Sequence, residues 1–326
     1  MKKTLFAALA LVSMASCSNE EVLEVAQKEV IAFDNAFVEN STRAVTDLTK
    51  SNLSQFSVYG AITANNSTGL IFNNVKVYTS DYANYTYDNK QYWVANADYN
   101  FTAIAPYVEN AEWEYETSDA KNGTITYNAA SDIDLLFAEN VNRNTTTTIS
   151  TDKVAFTFNH MLSRVRMTFV NAIPATSNIT LKISDVKISN AGKTGTLPIS
   201  EGTSETWTAE DNQPFTFVSD GAVIKGAADG VTNYETTEHH YFIPVKRKYE
   251  ATFKVTLIQA GVELGTYERS ASLELDLQKG FSYDIKANLT AETVLPDALK
   301  PIEFTVNEFD GWKDFEPTNS TVKVNR

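Results

Sequence analysis

The chain has 326 residues and a formal net charge of −14, an acidity that repels nucleic acid and anionic membrane surfaces and excludes both as expected partners. One cysteine, Cys17, and three histidines, His160, His239 and His240, leave no structural disulfide and no cysteine-based zinc site. The 18 Phe, 15 Tyr and 4 Trp, set among many Thr and Val, favour strands over helices.

The chain opens with Lys2 and Lys3, a short apolar run from Leu5 to Val12, and Met14-Ala15-Ser16-Cys17. That is the anatomy of a signal peptide over residues 1–16, and the run is too short to span a bilayer. Cysteine at this point predicts lipidation at Cys17 after cleavage before it; the alternative is an ordinary secretory signal with an incidental cysteine. Loss of both lysines with the leader takes the net charge to −16. No later stretch is apolar for long enough to cross a membrane, so lipid on Cys17 is the one anchor expected.

Ser18 to Glu29 is polar and acidic and reads as a tether. Ile31, Phe33 and Phe37 then fall on one face of an alternating segment, as a half-buried strand requires. A polar patch around Arg43 follows. Strands are expected at 56–60, at 70–72 and 75–78 about a turn at Asn73-Asn74, and at 99–105 up to Pro106. More follow at 124–127, 135–138, 154–158 and 160–170. Residues 173–178 are the best break between two domains, expected at 44–173 and 174–326. The second half restarts with Ile179, Leu181 and Ile183 on one face. Further strands are expected at 240–245, 251–257, 272–277, 283–289 and 302–306, with Trp312 beyond. Short strands and turns at this spacing predict an all-β protein of two tandem β-sandwiches of Greek-key, transthyretin-like type.

Signals for chemistry are weak. Neighbouring His239 and His240 point to opposite faces of a strand, and no third ligand stands at a telling spacing. His160 is expected to pack or cap. Gly192-Lys193-Thr194 lacks the earlier glycine of a phosphate loop, since Lys187 stands there, and a hairpin turn is expected instead. Asp132 and Asp134 lack the glycine-containing loop of a calcium site. Trp93, Trp113, Trp207 and Trp312 suit a sandwich core better than a sugar platform. No cofactor and no metal is expected, and the chain is not expected to be an enzyme.

Several segments in order resemble the fimbrillin family of the Bacteroidales, the Mfa-like pilus subunits. They are Cys17 with its leader, Ser41-Thr42-Arg43-Ala44, Phe56-Ser57-Val58-Tyr59-Gly60, Tyr99 to Pro106, and Asp134-Leu135-Leu136-Phe137-Ala138. Phe156 to Val165, Gly280-Phe281-Ser282-Tyr283 and the ending at Trp312 complete the set. The resemblance implies an outer-membrane lipoprotein precursor that moves to the surface fimbrium. An arginine-specific protease would cut between Arg43 and Ala44 and remove residues 17–43 with the strand of Ile31, Phe33 and Phe37. Another subunit would fill the groove with a donated strand, in a homo- or hetero-polymer. The candidates here are Ile302, Phe304 and Val306, or the terminal Val322 and Val324. A stalk, an anchor and a tip subunit all remain open, the last without a usable donor strand. So does an anchored lipoprotein that captures a host glycan or protein receptor without polymerising.

Overall fold

Alternation of apolar and polar residues with period two builds nearly every element of this chain. The computed structural model describes residues 29–34, 37–38, 48–49, 51–109, 112–129, 132–146, 152–217, 221–228, 233–295 and 300–309. In chain order the strands are β1 (Phe37–Val38), β2 (Gln55–Ala64), β3 (Ser67–Tyr78), β4 (Asp98–Ala105), β5 (Trp113–Thr117) and β6 (Gly123–Asn128). They continue as β7 (Leu136–Asn144), β8 (Thr157–His160), β9 (Ser163–Asn171), the long β10 (Ile179–Ser200), β11 (Thr203–Ser204), β12 (Thr208–Phe217) and β13 (Val223–Ile224). The last are β14 (Tyr234–Thr236), β15 (His240–Phe242), β16 (Lys246–Gln259), β17 (Val262–Asp276), β18 (Ser282–Leu289) and, after the one-turn helix α1 (Ala291–Val294), β19 (Glu303–Phe309).

Among the described residues the strands form three sheets. The first runs β1-β8-β7-β4-β2-β3. The second runs β17-β16-β10-β6-β5, with β11, β12 and β13 also on β10, and the third runs β14-β9-β18-β19 with β15 on β9. One apolar cluster, with Phe56, Phe72, Phe101, Phe156 and Phe158, lies on one face of the first sheet. A larger one lies between the second and third sheets and reaches back to Tyr59 and Phe137 on the other face of the first. The all-β, sandwich architecture is as expected. Because β2 is covered on both faces, Phe56 to Ala61 reads as a continuous buried run rather than as an alternation.

The sheets are shared across position 173: β6 pairs with β10, and β9 lies parallel to β18. Residues 175–177 form a 3-10 turn closed by Asn178 in the left-handed region (φ 58°).

Two expected turns are corrected. Asn73-Asn74 does not divide two strands; β3 runs through it with an irregularity at Asn74 (φ 53°), where the register with β2 slips. The hairpin turns instead at Asn65-Asn66, both with positive φ, which matches the right-handed twist of the flanking strands. Opposite the slip, Gly60 has no room for a Cβ: Phe101 and Phe72 ring carbons would each lie at 2.8 Å. Gly192-Lys193-Thr194 lies inside β10 rather than in a hairpin turn, with Gly192 facing Asn212 and Thr194 facing Glu210. There the Lys193 ammonium sits 3.5 Å over the Phe215 ring, a cation–π contact that no local pattern reveals.

Candidate strand-acceptor groove

Residues 29–34 run between two other stretches of chain. On one side Ile31 N donates to Gln91 O and Trp93 N donates to Glu29 O, both at 2.9 Å, around an antiparallel bridge of Val30 with Tyr92. On the other side Val154 N donates to Ala32 O at 2.8 Å and Asp34 N donates to Val154 O at 2.9 Å, around a parallel bridge of Phe33 with Val154. β1 then continues along β8, Phe37 facing Thr157 and Val38 facing Phe158. Tyr78 of β3 also bridges Thr86. The path from β3 through 86–93 and 29–34 to 154–158 therefore joins the two edges of the first sheet, and the N-terminal segment closes its wall.

Its side chains fill the space inside. Ile31 is 0% exposed, Phe33 1% and Val38 4%. The Phe33 ring lies 5.4 Å from both Phe72 and Tyr87, 5.8 Å from Phe156 in a stacked arrangement, and 6.3 Å from Phe101. Full burial of one such ring contributes about 3 kcal/mol from area alone, and the aromatic pairings add to it. The buried Tyr87 hydroxyl donates to Ile31 O at 2.7 Å and accepts from Gln91 N at 3.1 Å. Burial pushes this phenol above its ordinary value, so it stays a neutral donor.

Val38 is inward-facing although it has the opposite parity to Ile31 and Phe33. From Phe33 to Phe37 the segment advances by four residues while the facing chain, from Val154 to Thr157, advances by three. The register therefore differs by one residue on either side, and a one-residue offset reverses which residues face inward. The backbone of Phe37 lies in β1 as expected; its side chain lies outside the described residues.

Further along, the N–H of Leu48 donates to Asp134 at 3.1 Å. Asp134 is itself buried and pairs with His160 Nδ1 at 3.1 Å. Arg43 and Ala44 fall between Val38 and this anchor and lie outside the described residues, as do Cys17, Trp312, Val322 and Val324. Ile302 and Val306 are buried, and Phe304 is half-buried with its ring 6.4 Å from Phe253. β19, which holds Phe304 and Val306 and follows directly on Ile302, is the edge of the third sheet among the described residues, paired antiparallel with β18 from Glu303 to Phe309.

The other polar candidates have structural partners. Asp132 receives His240 Nδ1 at 2.8 Å and Tyr241 N at 2.9 Å. Burial, then the charge of Arg164, holds His239 down at about 4. Among the described residues no three His, Cys, Asp or Glu side chains converge as a metal site, and Trp93, Trp113 and Trp207 are buried. Sequence reasoning missed Val38, Tyr87 and Gln91. Alternation misplaces the first because the register shifts by one residue, and the other two act through contacts to a segment more than fifty positions away.

These features define an all-β protein in which an N-terminal segment completes the core of the first sheet. The fimbrillin-like family model matches residues 42–308, and the chain belongs to that family. A fimbrial protein from Bacteroides vulgatus has a similar crystal structure, with 17% identity over 87% of this chain and 99% of that one and a TM-score of 0.62. A candidate cell adhesion protein from Bacteroides uniformis has 17% identity over 87% and 99% of the two chains and a TM-score of 0.50. One from Parabacteroides distasonis has 11% identity over 89% and 98%, again with a TM-score of 0.50. These likenesses are likenesses of fold. No curated protein matches the sequence.

Proposed function

We propose that this chain is a fimbrial subunit, exported as a precursor lipidated on Cys17, cut between Arg43 and Ala44, and assembled at the cell surface by strand exchange. The observation that carries it is the seating of residues 29–34 and 37–38. A segment wholly upstream of Arg43 supplies Ile31, Phe33 and Val38 to the core of the downstream body, in which Leu48 N–H is tied to Asp134. Its loss unpairs Gln91 O, Trp93 N and both backbone groups of Val154, and opens a slot lined by Phe72, Tyr87, Phe101 and Phe156. An unpaired edge beside an apolar slot is a strong template for another strand. Such contacts are head-to-tail and propagate without closing. Residues 18–43 carry six acids and two bases, a charge of −4, so the cut body retains −12 of the −16.

The donor supported best is β19. With the preceding Ile302, its Glu303-Phe304 repeats the Ile31-Ala32-Phe33 order of the segment it would replace, so an isoleucine and a phenylalanine two residues apart would be offered to the two vacated sites. Among the described residues β19 has one strand neighbour, β18, to leave. The terminal Val322-Lys323-Val324 offers smaller side chains. The partners are then other fimbrial subunits, an arginine-specific protease and, for the assembled fibre, a host glycan or protein receptor. If no strand is donated the chain is a tip adhesin or an anchored surface lipoprotein.

The test is digestion of residues 18–326 with an arginine-specific protease, following the new N-terminus and the size distribution. A start at Ala44 and SDS-resistant ladders, abolished by Phe304→Asp, are expected. Cleavage without ladders leaves a tip subunit; a resistant Arg43 and a persistent monomer overturn strand exchange.

A further inference from the structure

The irregularity at Asn73-Asn74 bends β3 beside the 86–91 segment. The two stretches are bridged at Tyr78 and Thr86. Beyond that bridge lies a cleft of about 390 Å³ with Phe72 and Tyr87 at its base and Lys76, Asp88, Asn89 and Gln91 around it. We propose that this cleft binds a neutral sugar residue of a glycan. The connection from β3 to β4, residues 79–97, is long for a compact β-domain, and long ordered connections commonly carry binding sites. Its framework is fixed before any ligand arrives. The Asp81 carboxylate accepts from Thr79 Oγ1 at 2.8 Å, Ala83 N at 2.9 Å and Asn84 N at 2.8 Å, and the Tyr78 hydroxyl donates to Asp88 at 3.2 Å.

The chemistry of the wall selects the ligand. A carboxylate, two amides and an ammonium present donors and acceptors side by side, as vicinal hydroxyls demand, since each hydroxyl both donates and accepts. Ile71 and Val75 supply the apolar surface that the C–H face of a pyranose covers. A mostly apolar ligand would strip water from the Asp88 carboxylate and the Lys76 ammonium without replacing those hydrogen bonds. The chain's charge of −14 disfavours an anion, and one carboxylate without a histidine or cysteine does not make a metal site. The cleft volume falls in the range of small-molecule sites. Gln91 and Tyr87 also hold Ile31, so the site adjoins the N-terminal segment, but the binding claim stands whether or not that segment is exchanged.

The experiment is saturation-transfer NMR and calorimetry on residues 18–326 with galactose, glucose, mannose, N-acetylglucosamine and lactose. The expected result is saturable, millimolar-range binding of at least one of them. Gln91→Ala and Asp88→Ala should each weaken it at least about tenfold, while Asn142→Ala, in a separate cleft between β4 and β7, leaves it unchanged. Circular dichroism and melting of the variants establish that they fold. No binding by any of the five sugars overturns the proposal. So does binding indifferent to the two cleft substitutions, or a synthetic 29–38 peptide that alone occupies the cleft.

Discussion

Residues 29–38 and strand β19 lie near opposite ends of the described chain and carry the same Ile-x-Phe order, yet they are held differently. The N-terminal segment is flanked on both sides, its register shifts by one residue between Phe33 and Phe37, and Phe33 is 1% exposed. β19 pairs without a slip along one neighbour, and Phe304 is only half-buried. Side-chain burial therefore secures the first, and backbone pairing the second. A segment held by its side chains leaves a shaped apolar slot when it goes. A strand held mainly by its ladder leaves a long unpaired edge along β18, with the smaller sites of Ile302 and Val306 beside it.

The sharpest way to break this contrast is Phe33→Ala. It removes a ring from a fully packed site and should cost about 3–5 kcal/mol in thermal or denaturant unfolding. A loss under 1 kcal/mol would mean that burial does not hold the segment.

Acid should act on the other region. The unfolded chain takes up the His239 proton near its ordinary 6.5 and the folded chain only near 4. Acidification from 6.5 to 4 therefore removes stability, at most about 3 kcal/mol, and this group removes no more below 4. His239 immediately precedes β15, which pairs with β9 of the third sheet. His239→Gln should flatten the pH profile in that window, and hydrogen exchange should show the gain around β9 and not at Ile31. A profile unchanged by the substitution would remove His239 from the account.

Two smaller effects sharpen the comparison. Tyr87→Phe leaves Ile31 O and Gln91 N without their shared hydroxyl and should cost about 1–2 kcal/mol, with faster amide exchange at Ile31 and Trp93 and none at β19. Phe304→Ala should cost about 1–2 kcal/mol, well below Phe33→Ala, because its ring keeps partial contact with water. Equal losses at Phe33 and Phe304 would erase the distinction between the two regions.

Much of this was legible locally. Ile31 and Phe33 face inward as alternation requires, and Phe156 and Phe158 line the same cluster. Asp134, within one of the family-like segments, is the buried partner of His160. Val38 was not legible, because a one-residue shift of register reverses parity and nothing in the residues from Asp34 to Val38 marks it. Nor was the turn: Asn65-Asn66 and Asn73-Asn74 have the same composition, and pairing with β2 decides which one reverses the chain.

The all-β class, the inward faces of most strands and the family are legible in the residues alone, because these depend on period-two burial and on ordered short segments. Long-range contacts settle that residues 29–34 close the first sheet against 91–93 and 154. They also settle that β6 joins β10 and that β9 lies parallel to β18. Period two says which side of a strand is buried and nothing about which strand lies beside it. That choice is made by contacts between residues distant in the chain, where the shapes of side chains such as Phe33 and Phe72 either fit or do not.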